Sequence, residues 1–245
     1  MRLKDKIALV TGGTVEIGYA TVERFLEEGA TVAFFGRSEE RIKKAEEGLK
    51  VKGPAFGYVA DISDREKIKS VVDSIIAKFG RIDILVNNAG ITNDAQFYKM
   101  TYEQFDSVIQ VNLYGLFNVT KAVLPGMMEH QYGRIVNMSS VSGFTGNFGQ
   151  SNYAAAKAGI MGMTRVMARE LAKYNITVNA IAPGGTDTDM FANIPAETKQ
   201  KITDQMPMKR LATPREIANV SLFLASEEAS YVSGETIVVD GAKHQ

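Results

Sequence analysis

Short, wholly apolar runs alternate along this chain with longer stretches whose apolar residues recur at every third or fourth position. The first run, Ile7-Ala8-Leu9-Val10, reads as a strand and leads into Thr11-Gly12-Gly13. Helical spacing then starts near Ile17 and holds through Val22, Phe25 and Leu26 to Gly29, a residue type that ends helices well. Thr31 to Phe35 predicts a second strand, closed by Gly36-Arg37-Ser38. Ser38 is placed to cap a charged helix from Glu39 to Leu49. Ala55 to Ala60 predicts a third strand. Asp61-Ile62-Ser63-Asp64 then introduces a helix that gathers Ile68, Val71, Val72, Ile75 and Phe79 on one side.

The alternation continues with Ile84-Leu85-Val86 as a strand and Asn87-Asn88-Ala89-Gly90 as a turn. One long helix is expected after Thr101 towards Met127, a strand from Arg134 to Met138, a helix from Tyr153 to Tyr174, and a strand from Ile176 to Ile181 ending at Pro183-Gly184. Pro214 to Ala225 predicts a further helix with Thr213 as its cap, and Ile237-Val238-Val239 a last strand. About seven strands that read as continuous apolar runs need cover on both faces. The fold class expected is therefore α/β: a Rossmann-like, doubly wound, mostly parallel sheet with helices on both faces, whose ligands bind at the strands' carboxyl ends. No linker, repeat or low-complexity block divides residues 1–245, so a single domain is expected, with a mobile substrate-covering excursion at 185–205 where periodicity is weakest.

Composition narrows the function. Lys and Arg total 28, as do Asp and Glu, so no general charge imbalance draws the chain to nucleic acid or to an anionic membrane. Cysteine is absent, which excludes a disulfide scaffold, a thiolate nucleophile and a cysteine metal site. The two histidines, His130 and His244, show no metal-ligand spacing, and no metal is expected. The N-terminus carries no long apolar run before a cleavage-like site, and no segment approaches about 18 uncharged apolar residues. A cytoplasmic protein is expected.

Gly12, Gly13 and Gly18 lie between an apolar strand and a helix, where backbone N–H groups can approach a pyrophosphate. The same glycines also suit an ordinary turn, and Glu16 brings a carboxylate towards the phosphate position. Tyr153 and Lys157 stand four residues apart on one helical face. A phenol with a pKa of about 10 is a poor proton donor or acceptor at neutral pH, and an ammonium beside it favours the phenolate. Tyrosine and lysine at this spacing also occur on solvated helices. Ser139-Ser140 ends the preceding strand, where Ser140 can hold a substrate oxygen or simply cap, and Asn112 is a polar residue within an apolar stretch that needs a partner if buried.

Together these residues resemble the short-chain dehydrogenase/reductase superfamily. The turn Thr11 to Gly18, Asn87-Asn88-Ala89-Gly90, Asn112, Ser140, Tyr153-x-x-x-Lys157 and Pro183-Gly184 occur in family order over essentially the whole chain. The resemblance implies a nicotinamide oxidoreductase in which Tyr153 exchanges the proton, Lys157 depresses the tyrosine pKa and holds the nicotinamide ribose, Ser140 orients the carbonyl, and Asn112 keeps a water in a relay to solvent. It further implies cofactor contacts from Gly12, Ile17, Gly18, Asp61, Ile62, Asn88, Ala89, Gly90, Pro183, Gly184, Thr186 and Thr188, besides Tyr153 and Lys157. Where NAD-specific members place an Asp, this chain has Gly36 followed by Arg37, which favours NADP(H), with NAD(H) as the lesser partner.

Gly90-Ile91-Thr92-x-Asp94, Phe117 to Lys121 and Phe148-Gly149-Gln150-x-Asn152-Tyr153 are most similar to 3-oxoacyl thioester reductases, acetoacetyl-CoA reductases above all. That similarity implies that Asp94, Phe148 and Gln150 border an acyl pocket. Asn93 departs from a usual basic residue and Gly185 from an aromatic one. Carrier-protein-dependent members have basic residues at the positions of Gln131 and Tyr174, so the resemblance implies a CoA thioester, with the carrier-protein thioester as the alternative. A hydroxysteroid or secondary-alcohol dehydrogenase and a cofactor-binding protein without turnover are the remaining readings. Family members assemble as homotetramers through the helices around Asn112 and Tyr153 and the strand Ile237 to Val239, and the same assembly is implied here.

Overall fold

Strands β1 (Ile7–Thr11), β2 (Thr31–Gly36), β3 (Ala55–Val59), β4 (Ile84–Asn87), β5 (Gly133–Met138), β6 (Ile176–Pro183) and β7 (Thr236–Val239) form one sheet in the order β3-β2-β1-β4-β5-β6-β7. Every adjacent pair is parallel. The computed structural model describes residues 1–188, 197, 200, 203–204 and 206–243. Helices α1 (Glu16–Glu27), α2 (Glu39–Leu49), α3 (Arg65–Phe79), α4 (Tyr102–Ile109), α5 (Gly115–Glu129), the short α6 (Ser142–Thr145), α7 (Ser151–Leu171) and α8 (Pro214–Ala225) complete the alternation. Among the described residues no helix is long and apolar enough to cross a membrane.

The pleat divides the apolar runs between two cores. Val10 and Phe34 point to one face, with Phe25 of α1, Ile42 and Leu49 of α2, and Ile217 and Leu222 of α8. Leu9, Phe35, Leu85 and Ile135 point to the other, against Ile68 and Ile75 of α3, Val119 and Met127 of α5, and Leu171 of α7. Burial on both faces is why these strands read as continuous rather than alternating.

Local signals set the boundaries. Gly29 takes φ +87° after α1, and its N–H and that of Ala30 donate to Leu26 O (3.0 Å) and Phe25 O (3.1 Å), a Schellman closure. Ser38 Oγ accepts from Arg41 N at the start of α2. Thr213 and Glu216 form a reciprocal capping box around Pro214.

Two expected elements differ. The long helix beyond Thr101 is interrupted: a π-helical turn, Gln110–Tyr114, separates α4 from α5 and holds the buried Asn112. Asn87 to Gly90 is not a turn. Asn87 closes β4 and its Nδ2 donates to Thr120 Oγ1 (3.0 Å) and Asn137 Oδ1 (2.9 Å), so the side chain bridges helix and sheet, and Asn88 to Gly90 carry no turn. Of the expected covering excursion, residues 185–188 run beside Ala212, with Asp187 N–H donating to Ala212 O (2.8 Å). Most of 189–205, and His244, lie outside the described residues.

Candidate active site

A cleft of about 1290 Å³ runs along the carboxyl ends of the strands. It passes the point where β1 and β4 lie side by side while the chain leaves them for opposite halves of the sheet, the switch point at which such folds bind ligands. Thr11 and Asn88 bind the two strand ends together: Thr11 Oγ1 accepts from Asn88 N (2.9 Å) and Ala89 N (3.0 Å), and Asn88 Nδ2 donates to Thr11 O (3.1 Å).

The β1–α1 turn forms one wall. Gly12 has φ +68°, and a Cβ at Gly18 would stand 2.0 Å from Gly12 O, so only a residue without a side chain lets the helix approach this closely. Val15 gives α1 no side-chain cap, so no side chain occupies the capping position at a helix N-terminus that suits an anion. Glu16 in the same turn takes φ +53°, a left-handed conformation that costs a side chain about 1 kcal/mol. Arg37 and Arg41 stand in the cleft beyond β2, and Asp61 beyond β3. Burial raises the Asp61 pKa, but hydrogen bonds from Ser63 Oγ (2.6 Å) and Ser63 N (2.9 Å), with the Arg37 charge, bring the net shift below the usual range. An extended dinucleotide fits this cleft: a glycine cradle without Cβ atoms and a helix N-terminus at mid-length, guanidinium groups at one end, a phenol and an ammonium at the other.

At that other end, three consecutive residues after the body of β5 hold the catalytic-type side chains. Met138 O accepts from Lys157 Nζ (2.7 Å), Ser139 Oγ donates to Lys157 O (2.8 Å), and Ser140 lines the cleft beside Tyr153 and lowers its pKa. Lys157 is buried, and burial lowers its pKa to about 8. The Tyr153 phenol is pushed up by burial; the Ser140 hydrogen bond pulls it down and the Asp94 carboxylate pushes it up, with a net rise. Lys157 is not among the groups that shift the Tyr153 pKa here. The ammonium lies 5.4 Å from the ring centroid and is turned to Met138 O, while desolvation disfavours the phenolate.

Every expected cofactor-contact residue lines the cleft, as do Ser140, Asp94 and Gln150. Asn112 does not. Its Oδ1 accepts from Ile91 N (2.8 Å) and its Nδ2 donates to Ile91 O (3.0 Å), which commits the amide to the backbone beside Gly90. The side chain therefore positions the loop beside Gly90. Phe148 also lies off the main cleft, in an adjoining groove.

Sequence reasoning passed over Thr11, Ser139 as a clamp, and Asn152. Asn152 is fully buried; its Nδ2 donates to Asn93 O and Gln104 O (both 2.9 Å) and its Oδ1 accepts from Tyr153 N (2.7 Å). It joins the start of α7 to the Asp94 loop. Its place directly before Tyr153 was the available signal.

With that geometry in place, comparison with known proteins gives a consistent result. Residues 13–244 match a family model described as enoyl-(acyl carrier protein) reductase. The chain is 49% identical to the 3-oxoacyl-(acyl-carrier-protein) reductase of Thermotoga maritima over 98% of each chain, and 46% identical to the Aquifex aeolicus protein of the same name over 98% of each. It is 47% identical to nodulation protein G of Azospirillum brasilense, again over 98% of each chain. The chain belongs to the short-chain dehydrogenase/reductase superfamily and is a nicotinamide-dependent oxidoreductase.

Proposed function

We propose that the protein reduces 3-oxoacyl groups carried as thioesters on acyl carrier protein, using NADPH. The observation that carries the chemistry is that Met138 and Ser139 fix Lys157 by hydrogen bonds where Ser140, Tyr153 and Lys157 together line one end of a dinucleotide-sized cleft. The names of relatives nearly half identical over their whole length support the carrier-bound thioester over the CoA form that Gln131 and Tyr174 suggest. Arg169 and Lys173, exposed at and just beyond the end of α7, supply positive charge near those two positions for an acidic carrier surface.

A reduced nicotinamide held in the cleft would supply a hydride to the C3 carbonyl carbon. Ser140 holds the carbonyl oxygen and polarises it. Tyr153 gives its phenolic proton to that oxygen as the alcohol forms, and its raised pKa keeps it protonated at neutral pH, which suits the reducing direction. Lys157 would hold the ribose hydroxyls with its ammonium, and Arg37 would meet the adenosine 2′-phosphate. Asp94 and Gln150 border the thioester side of the site. Exposed aromatic residues on the helices flanking the site, Tyr102, Tyr114 and Phe117, support a homotetramer.

Matched 3-oxobutanoyl substrates on acyl carrier protein and on CoA test the carrier assignment, read as NADPH consumption. A kcat/KM at least about tenfold higher for the carrier form is expected, roughly the 1.4 kcal/mol that one set of complementary surface charges can supply. Equal values, or a preference for CoA, would sink it.

A further inference from the structure

Tyr153 and Lys157 share one helix, yet they are fixed to different parts of the molecule. Lys157, in the second turn of α7, is tied to the sheet through Met138 O and Ser139 Oγ. A Cβ on Gly143 would stand 2.9 Å from Lys157 C and from Ala158 N, so α6 also packs directly on that turn. Tyr153 lies one turn earlier, at the start of the helix, where backbone N–H groups find no partner within it. Its own neighbour supplies one: Asn152 Oδ1 accepts from Tyr153 N (2.7 Å).

The other end of that amide reaches away from α7. Asn152 Nδ2 donates to Asn93 O and to Gln104 O, both at 2.9 Å, and the side chain is fully buried. Asn93 precedes Asp94 in the segment after β4, and Gln104 lies in α4. One amide, with both of its donors used, therefore joins three elements. A second tie runs beside it through the exposed Asp94, whose Oδ2 accepts from Gln150 Nε2 (2.8 Å). Buried asparagines commonly serve the fold, and this one does so too. What sets it apart is the turn its bonds locate. Ser140 and Lys157 are placed by β5 and its end, whereas the turn that carries the Tyr153 phenol is placed, through Asn152, by α4 and the Asp94 segment. Reacting groups displaced by about 1 Å can lose on the order of a hundredfold in rate.

We propose that Asn152 is a positioning residue for Tyr153: its amide sets the reach of the phenol to the substrate oxygen. The inference rests on the reading of Tyr153 as the proton donor and adds the residue through which the fold aims it.

The test reads rates per folded molecule of the full chain, with NADPH and the 3-oxobutanoyl thioester of N-acetylcysteamine. Asn152→Ala should lower kcat at least about tenfold while KM and the NADPH Kd move less than about twofold, since what is lost is alignment in the transition state and not ligand binding. The solvent deuterium isotope effect on kcat should rise, because transfer from Tyr153 becomes slower than the steps around it. Asn152→Asp keeps the size and the acceptor for Tyr153 N, but turns an oxygen towards two carbonyls. Buried there, its carboxyl takes up a proton more readily than usual and regains one donor. Its kcat should therefore recover as pH falls from about 8 to about 5, where the wild-type rate is flat because Tyr153 stays protonated. In the Tyr153→Phe background Asn152→Ala should cost less than about twofold, because the group it aims is gone. A full tenfold loss in that background overturns the proposal, as does an unchanged kcat in the wild-type background. So does a lower kcat that comes with higher KM and Kd and an unchanged isotope effect, the pattern of general loosening. If Asn152→Ala does not fold, Asn152→Asp decides alone, and a rate without the recovery at low pH overturns the proposal. Near-normal turnover in Tyr153→Phe by itself removes the proton-donor reading instead, so the two failures are told apart.

Discussion

The two ends of the sheet treat polar groups in opposite ways. At the amino ends, Arg134 enters β5 with only 1% of its side chain exposed. It donates to Gly133 O (2.9 Å), Asn175 O (3.2 Å) and Glu227 Oε2 (3.2 Å), and its guanidinium lies 4.5 Å from the Tyr132 ring centroid. Lys6 covers the same ring at 3.7 Å, Tyr132 OH donates to Glu227 Oε1 (2.7 Å), and Asp83 pairs with Arg81 and accepts from Ile7 N (2.9 Å). Burial, and then the Glu227 hydrogen bond, hold the Tyr132 phenol protonated. At the carboxyl ends the helix N-terminus, the arginines and the phenol face an open cleft, and a lysine is buried with one carbonyl as partner. One end spends its polar groups on the fold; the other holds them ready for a ligand. A network of mutually paired groups stabilises, even with Arg134 Nε and Arg81 Nε left unpartnered in it, whereas groups left poised are reactive and cost stability.

Tyr153→Phe sharpens the contrast most. It removes the proton and nothing from the core, so turnover should fall at least about a hundredfold, with the dinucleotide Kd nearly unchanged, because general acid–base transfer contributes about 10²–10⁴. Near-normal turnover would overturn the mechanism. The opposite end should respond oppositely. Arg134→Ala removes the largest fully buried side chain and leaves the carbonyls of Gly133 and Asn175 without its donors, and should cost about 2–5 kcal/mol in denaturant unfolding while kcat per folded molecule stays near wild type. A kinetic loss at unchanged stability would erase the distinction between the two ends.

Legibility followed the same division. Helix and strand positions were readable because each apolar run repeats with its element's period and because caps such as Ser38, Thr213 and Gly29 act within a few residues. The site was readable as a spaced motif on strand ends. Arg134 was not: its partner Glu227 is 93 residues away, and in sequence it looks like the polar start of a strand. Asn112 announced that it needed a partner but not that Ile91 would take both amide atoms. Four-residue spacing reports that Tyr153 and Lys157 are near each other, whereas the burial that raises the Tyr153 pKa is set by the whole fold.

Lys157→Met probes the stability cost of readiness. The ammonium's pKa of about 8 in the fold lies below the ordinary 10.5. Below pH 8 the lysine is charged in both folded and unfolded chains, and the fold bears the full cost of burying it. Between about pH 8 and 10.5 the unfolded chain binds more protons, so wild-type stability rises with pH as the cost is relieved. Lys157→Met should therefore abolish activity yet stabilise the protein by ~1–3 kcal/mol at pH 7, and that gain should shrink towards zero by about pH 10.5. A destabilised variant at pH 7, or a gain independent of pH, would show that the Met138 carbonyl fully offsets burial.

The smallest effect expected, at Glu16, asks whether even the cofactor turn is organised for its ligand. Two features of this residue oppose that role: a left-handed φ of +53°, and a carboxylate in the first turn of α1 where phosphate charge should lie. Arg37 at the far end of the cleft argues the other way for a phosphorylated cofactor, since a guanidinium meets a phosphate through directional paired bonds, whereas repulsion across an open cleft is screened. NADPH should therefore bind more tightly than NADH, by a modest margin. Glu16→Gly should relieve about 1 kcal/mol of backbone strain, seen as a higher melting temperature without ligand, and should tighten both dinucleotides a few-fold. Arg37→Ala should weaken NADPH about tenfold and NADH little. Titrations of the three proteins with both cofactors separate the contributions. If wild type binds NADH more tightly and Arg37→Ala leaves that order unchanged, then the turn and not the arginine sets the preference, and Glu16 is a selector against the extra phosphate rather than a residual strain.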